Sequence, residues 1–279
     1  LNTERYGGMI YSTWFDRPLS VAGRVMVKTE KGVQTRLVNI DRDLLVIPNL
    51  AIHMDRTAND GMKYNPQTNL LPLFGDAASK DTFDKLVAEA CGVKEEDVIA
   101  SDLFLYNRTK PVVWGGHNEY MSCAKLDDLE CAFSSMKAFI KGGSKESVSV
   151  CAIFDNEEVG SSTKQGANST FMYDVLRRIN QNLGRSEEDY YTAVASSFML
   201  SADNAHALHP NHPAVTDPTN LVFLNEGIVI KYSANQKYCT DGVSAAMFKD
   251  LCQQAEVPCQ TFTNRSDILG GSTLGNISN

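Results

Sequence analysis

The 279-residue chain is moderately acidic: 26 lysines and arginines oppose 34 aspartates and glutamates, which gives a formal net charge of −8. This balance argues against a nucleic-acid-binding surface, and no apolar run approaches the roughly 20 residues needed to span a membrane. The 43% hydrophobic content is enough for a sizeable core. The seven cysteines form no C-x-x-C pair, which favours reduced thiols and a cytoplasmic location.

Both ends of the sequence read like the interior of a longer chain. The sequence starts with Leu1 rather than Met, has no basic and apolar leader, and stops at Asn279 without a terminal helix. We therefore expect a fragment of a larger protein.

The first part of the chain, to about residue 75, is predicted to be rich in β-strands. Three short β-prone runs, separated by Asp, Arg, Pro and Gly, lie at 8–15, 21–27 and 37–40. Residues 79–92 are predicted to form a helix, because their apolar side chains recur on one helical face.

From about residue 111, predicted helices and strands alternate. Helices are expected at 126–140, 171–182 and 243–255, and strands at 148–154, 197–200, 228–232 and 258–262. This alternation predicts an α/β sheet, in which functional groups collect where strands end. The predicted organisation is a β-rich domain over residues 1–110 and an α/β domain over residues 111–279.

Acidic residues lie at three predicted element boundaries of the second part. Asp127 opens a helix, Glu157 and Glu158 follow one strand, and Asp203 follows another. Carboxylate oxygens, supplemented by imidazole, suit zinc or another divalent first-row ion. Such an ion would also offset the repulsion among neighbouring carboxylates. The pattern predicts a metal-assisted hydrolase.

Each of these features also has an ordinary structural interpretation. Asp127 is a typical helix N-cap, and two adjacent glutamates are common on a solvated loop. Histidines at 206, 209 and 212 fit a loop with turn chemistry as well as a metal site. The glycine-rich run 270–275 predicts a turn into a helix rather than a phosphate cradle, since it lacks G-x-G-x-x-G spacing and a following Lys. The residues alone leave these alternatives open.

Seven long blocks, in order, give the chain a family resemblance. They are YGG…STWFDRPLSVAGRV (6–25), IPNLAIHM (47–54), KLDDLECAF (125–133), FDNEEVGSSTKQGA (154–167), SFMLSADNAHALHPN (197–211), VIKYSANQKYCTD (229–241) and NRSDILGGSTLGNIS (264–278). The sequence resembles the aspartyl aminopeptidase family of dinuclear zinc exopeptidases, and its motifs are most similar to those of a bacterial member. The resemblance implies a mixed-sheet α/β zinc-exopeptidase domain with an inserted β-rich dimerisation domain.

The resemblance also implies a metal centre and a general base. Two zinc ions per subunit are expected, with cobalt or manganese as substitutes. Asp127 matches the carboxylate that bridges the zincs, Glu158 a ligand of one zinc, and Asp203 a ligand of the other. Glu157 matches the general base for zinc-activated water.

Four further positions match residues near the substrate: Lys231, Tyr238, His206 and His53. The resemblance implies that His53 reaches into the active site of a neighbouring subunit, and that Lys231 is a partner for an acidic side chain or a backbone carboxyl or carbonyl. The expected substrate is a peptide with an N-terminal Asp or Glu. The expected assembly is a homodimer, with dimers building a dodecamer, and neither nucleic acid nor membrane is an expected partner.

The sequence departs from this family pattern in its histidines. Each zinc in the family also takes a histidine, from an H-T-D-type and an M-H-S-type motif, and neither motif occurs in these 279 residues. Two alternatives to an aminopeptidase therefore stay open. One is an inactive or metal-poor assembly or binding module, and the other is a related dizinc deacylase or carboxypeptidase.

Overall fold

A computed structural model describes residues 1–271 and 274–278 of the chain. These residues form two compact units, Leu1–Ala124 and the part from Lys125 onward. The division predicted after residue 110 concerns the domains of the complete protein and stays a prediction. Within the described ranges, no helix is both long enough and apolar enough to cross a membrane.

The first unit is organised around a three-stranded antiparallel sheet. Strand β1 (Leu19–Thr29) lies in the centre, with β2 (Gly32–Asn39) on one side and β3 (Val98–Asn107) on the other. Alternate side chains of β1 point into the core, and Leu19, Val21, Val25 and Val27 are at most 2% exposed. The unit also contains two short α-helices, α1 (Pro66–Asn69) and α2 (Phe83–Cys91), four 3-10 helices, and a pair of three-residue strands, β4 (Val112–Trp114) and β5 (Tyr120–Ser122).

The predicted elements of this unit are confirmed with one exception. The run 21–27 lies within β1, residues 37–39 lie in β2, and the helix predicted at 79–92 is α2. The run 8–15 was wrongly predicted as a strand, because Tyr11–Trp14 form a 3-10 helix that is closed by a hydrogen bond from Thr13 Oγ1 to the Ile10 carbonyl. Its aromatic residues, which favour strands on propensity, pack against the core instead.

The second unit contains five helices and a parallel strand pair among its described residues. The helices are α3 (Leu126–Lys141), α4 (Phe171–Asn182), α5 (Glu187–Ala195), α6 (Gly242–Gln254) and α7 (Gly275–Ser278). Strands β6 (Ile228–Tyr232) and β7 (Cys259–Thr263) run parallel and are connected through α6, as in a βαβ unit. Five of the predicted elements, α3, α4, α6, β6 and β7, are confirmed, whereas α5 was missed.

Two predicted strands of this unit are absent from the structure. Residues 148–154 and 197–200 have no strand assignment and pair with no other strand in the part of the chain that is described. Their apolar side chains stay exposed, for example Val148 at 69% and Leu200 at 59%. A β-prone segment forms a ladder only when a neighbouring strand offers backbone donors and acceptors, and β-propensity alone does not supply that partner. Of the turn predicted at 270–275, residues 272 and 273 lie outside the described residues.

A glycine fixes the start of β6, the strand that carries Lys231. Gly227 has φ +101°, and a Cβ atom at this position would lie 2.1 Å from the carbonyl oxygen of Pro258. That same carbonyl accepts the backbone N–H of Ile228 and so begins the β6–β7 pairing. Only glycine combines this backbone conformation with such a close approach of the two strands.

Candidate metal centre

The first acidic residues of the site lie on an irregular turn at the start of α3. Lys125 is in the left-handed region with φ +62°, Asp127 and Asp128 have non-helical backbone angles, and the peptide bond between these two aspartates is cis. The regular turns of the helix therefore follow Asp128. The two carboxylates and that of Asp203, from a segment far along the chain, each offer an oxygen within 4.8 Å of the other two.

The loop that carries Glu157 and Glu158 is held by its own hydrogen bonds. The Gly160 N–H donates to the Glu157 carbonyl at 2.7 Å, and the Ser161 N–H donates to the Asn156 carbonyl at 2.9 Å. The Thr163 hydroxyl donates to the Asn156 side chain at 2.9 Å. These bonds keep the two adjacent glutamates on a defined turn although no strand precedes them in the structure.

Lys231 brings a positive charge to the carboxylates at the start of α3. Its ammonium donates to Asp203 Oδ2 at 2.8 Å and to the Asn204 carbonyl at 2.7 Å. The lysine side chain is only 16% exposed, whereas that of Asp203 is 51% exposed. Its charge partly offsets the rise in the pKa of Asp127 and of Asp128.

Burial and neighbouring negative charges raise the pKa of Asp127 and of Glu158. The pKa of Asp127 is raised, first by desolvation and then by the negative charges of Asp203, Asp128 and Glu157. The pKa of Glu158 is raised by desolvation and then by repulsion, mainly from Glu157. This coupling places the glutamate loop within electrostatic reach of the aspartates. The arrangement therefore has an excess of negative charge that a bound cation would relieve.

The other residues predicted near the substrate lie in different surroundings. The Tyr238 ring centroid is 5.7 Å from the Lys231 ammonium, and the Tyr238 hydroxyl accepts from Asn264 Nδ2 at 3.4 Å. His206 is exposed on the segment that follows Asp203. His53 is exposed on a turn of the first unit. The structure thus joins Tyr238 to the lysine and gives the two histidines no role in the cluster, so their roles stay predictions.

Three residues in or beside the cluster were not among the predicted site residues, although Asp128 was noted beside Asp127 at the start of the helix. Asp128 is the third carboxylate of the group, and its Oδ1 is buried without a hydrogen-bond partner among the described residues. Asn204 and Cys131 are hydrogen-bonded to each other, with Cys131 Sγ 3.2 Å from Asn204 Oδ1. Desolvation and the Asp128 carboxylate raise the pKa of the Cys131 thiol to about 12, so the thiol is a donor at neutral pH. Adjacency to Asp127 and Asp203 was the only sequence signal for Asp128 and Asn204.

The donor set fits a divalent metal ion. It consists of carboxylates from separate segments, one of them with a buried oxygen that has no protein donor. An unpaired buried carboxylate oxygen is costly, and a coordinated cation would satisfy it. Asp127 and Asp203 were predicted as ligands, and their convergence is compatible with that role. Glu158 was predicted as the third ligand, and it lies close enough for the charges of Asp127 and Asp203 to raise its pKa.

The fold and the site together indicate a class, α/β proteins with a carboxylate cluster that could hold a metal ion. Within that class, all 279 residues match the family described as "Aminopeptidase I zinc metalloprotease (M18)". The chain belongs to the M18 family, and the resemblance stated from its motifs is confirmed.

Two relatives illustrate this membership. A probable M18 family aminopeptidase 2 from Clostridium acetobutylicum is 48% identical over 284 residues, covering 100% of this chain and 66% of that protein. Aspartyl aminopeptidase 1 from Schizosaccharomyces pombe is 38% identical over 302 residues, covering 99% of this chain and 64% of that protein. The chain therefore spans about two thirds of the length of these relatives.

Solved structures support the same fold. A chain in the cryo-EM structure of the Ape4 and Nbr1 complex matches 98% of this chain with a TM-score of 0.89 and 36% identity, over 57% of its own length. The S. cerevisiae mApe1 dodecamer matches 93% of this chain with a TM-score of 0.75 and 26% identity, over 60% of its own length. The predicted α/β zinc-exopeptidase fold is confirmed by these neighbours.

Proposed function

We propose that the complete protein is a zinc aminopeptidase that removes N-terminal residues, preferably Asp or Glu, from peptides. The observation that carries this proposal is the carboxylate cluster of Asp127, Asp128 and Asp203, with the Glu157–Glu158 loop within electrostatic reach of it, in a chain of the M18 family. These residues come from three segments that are far apart in sequence.

The carboxylates divide into ligands and a base. Asp127, Glu158 and Asp203 would hold two zinc ions, with Asp127 shared between them. The zinc would polarise the scissile carbonyl and lower the pKa of a water molecule. Glu157 would take the proton of the attacking water and pass it to the leaving amine, which is the usual task of a general base within hydrogen-bonding reach.

Lys231 is our candidate for recognition of the acidic side chain. An ammonium group has three donors. In the structure, Asp203 and the Asn204 carbonyl take two of them, which leaves one N–H for a substrate carboxylate. The Tyr238 ring helps to orient the ammonium from 5.7 Å away. The S. pombe relative named aspartyl aminopeptidase 1 supports the preference for acidic residues.

An assembled form is part of the proposal. One solved relative is described as a dodecamer. We propose that the complete protein forms homodimers and builds dodecamers from them, with His53 of one subunit near the active site of another. Light scattering coupled to size-exclusion chromatography tests this, because a monomer at micromolar concentration would contradict it.

The test of the reaction is an assay of the full-length protein on Asp-, Glu-, Leu- and Lys-anilides, with and without chelator and added Zn²⁺. Activity on the acidic substrates that disappears with chelator and returns with zinc supports the proposal. Activity that ignores the chelator would refute the metal mechanism. Cleavage of N-acyl amino acids or C-terminal residues, with no anilide turnover, would indicate the deacylase or carboxypeptidase alternative. Absence of zinc binding together with absence of turnover would indicate the inactive assembly module.

The base assignment has its own test. The Glu157→Gln variant keeps the shape of the side chain but cannot accept a proton, so it should retain zinc and lose turnover by about 10²–10⁴-fold. Glu226→Gln, an exposed glutamate on a turn, is the matched control and should behave like the wild type. Wild-type kcat in the Glu157→Gln variant would show that another group is the base.

A further inference from the structure

Asn204 uses its main chain and side chain to join three parts of the second unit. Its side-chain oxygen accepts from the Cys131 thiol at 3.2 Å, and its side-chain nitrogen donates to Glu130 Oε2 at 3.3 Å. Its carbonyl accepts from the Lys231 ammonium at 2.7 Å. Its backbone N–H faces the Asp128 carboxylate. Asn204 thereby ties the first turns of α3 to a segment more than 70 residues away and to strand β6.

This connection matters because the segment of Asp203 has no strand ladder to hold it. Residues 197–204 have no regular secondary structure in the described chain. The position of Asp203 relative to Asp127 therefore depends on side-chain contacts. The structure shows two such contacts: the ion pair of Asp203 with Lys231, and the bonds of the neighbouring Asn204 to α3.

Asparagine suits this place because an amide has both a donor and an acceptor. The acceptor faces a protonated thiol, and the donor faces a carboxylate. An aspartate at position 204 would still accept from Cys131 but would repel Glu130. A leucine would keep a similar volume and lose both side-chain bonds.

We propose that Asn204 is a positioning residue that sets the distance between Asp127 and Asp203 and so determines metal affinity. This inference rests on the proposed function, since it assumes that the two aspartates hold zinc. Asn204 itself touches neither metal nor substrate in this assignment. Loss of such outer contacts typically reduces metal affinity or activity by 10–100-fold.

The experiment measures zinc affinity of the full-length protein by competition with a chelating dye, and the absorption spectrum of the Co²⁺-substituted protein. Asn204→Leu should weaken zinc binding by about 10–100-fold and change the Co²⁺ d–d bands. Asn211→Leu, an exposed asparagine on the same segment, is the matched control and should leave both unchanged. Circular dichroism of the chelated proteins establishes that each variant is folded.

A charge swap separates positioning from a general loss of stability. Asn204→Asp alone should weaken zinc binding, because two carboxylates then face each other. In the double variant, Asn204→Asp with Glu130→Gln, an amide again faces a carboxylate, with the two positions exchanged. Zinc affinity should therefore recover to within about threefold of the wild type. This pair of variants also keeps the test decisive if Asn204→Leu does not fold.

The outcomes distinguish this inference from the proposed function. If the wild type binds zinc and cleaves Asp-anilide but neither Asn204 variant changes affinity or the Co²⁺ spectrum, Asn204 is not a positioning residue. Failure of the charge swap to restore binding would also overturn the inference. A wild type that binds no zinc and cleaves no anilide would refute the proposed function, and the role of Asn204 would fall with it.

Discussion

Replacing Lys231 with methionine removes the ammonium group but keeps an apolar stem of similar length. The Asn204 carbonyl loses a charged donor at 2.7 Å in a partly buried place, and Asp203 loses its ion pair at 2.8 Å. A hydrogen bond to a charged group contributes about 1.5–3 kcal/mol. The ion pair adds at most about 1 kcal/mol, because the Asp203 side chain is half exposed and regains water. We expect the free energy of unfolding of the metal-free protein to fall by about 1.5–4 kcal/mol at neutral pH.

The effect of Lys231→Met should depend on pH. Asp127 and Asp128 have folded-state pKa values above their ordinary value, so the folded protein binds more protons than the unfolded chain between those two values. The contribution of these two groups to the free energy of unfolding is therefore complete below their unfolded-state pKa, near 3.9. It is lost as the pH rises through their raised folded-state pKa. Because Lys231 opposes this shift, its removal should cost less near pH 4 than near pH 7.

Urea denaturation followed by far-ultraviolet circular dichroism, with chelator present, measures both expectations. Lys249→Met is the matched control: its ammonium lies 5.7 Å from the Tyr232 ring at an exposed position, so its loss should cost less than about 1 kcal/mol. Equal costs for the two variants, or a cost for Lys231→Met that does not change between pH 4 and pH 7, would refute the electrostatic reasoning.

Three further predictions concern the fold that supports the site. Leu19→Ala at the fully buried first position of β1 should destabilise the protein by about 2–5 kcal/mol in urea denaturation followed by tryptophan fluorescence, whereas Leu37→Ala, at a side chain that is 83% exposed, should cost under about 0.5 kcal/mol. Gly227→Ala should lower the thermal midpoint, because the new Cβ would meet the Pro258 carbonyl oxygen; an unchanged midpoint would contradict the close approach of β6 and β7. Asp241→Asn should flatten the acid limb of the stability curve, because backbone hydrogen bonding lowers the pKa of this N-cap and its contribution is lost as the pH falls through that lowered value; an identical acid limb would refute this.

Local patterns predicted several elements of the second unit with their bounds. The helix predicted at 171–182 is Phe171–Asn182, and the strand predicted at 228–232 is Ile228–Tyr232, which has β7 as its partner. Periodic apolar residues and flanking turn residues determine such segments. The strands predicted at 148–154 and 197–200 depend on neighbouring strands, and the same kind of apolar pattern did not form them. Propensity therefore identified which segments are β-prone but could not supply their pairing partners.

The sequence indicated which acidic residues to consider for the site, but it did not indicate how they are arranged in space. Asp127, Glu157, Glu158 and Asp203 came from motif order and from the chemistry of carboxylates. Nothing in the sequence indicated that Asn204 would contact Cys131, because the two residues are 73 positions apart. Such contacts exist only after the chain has folded, and local pattern reasoning does not reach them.

The electrostatics of the cluster indicate that these carboxylates do not stabilise the folded chain. Desolvation raises the pKa of Asp127, Asp128 and Glu158, and repulsion from neighbouring carboxylates adds to it. One lysine opposes this, and it is itself paired with Asp203. A fold gains nothing from desolvating carboxylates beside one another, since apolar side chains of similar volume would pack there without that cost. The cost is recovered when a divalent cation enters, because a single ion of charge +2 stabilises every carboxylate around it. Saturating zinc should therefore raise the thermal midpoint of the full-length protein, and it should raise that of Asp127→Asn much less.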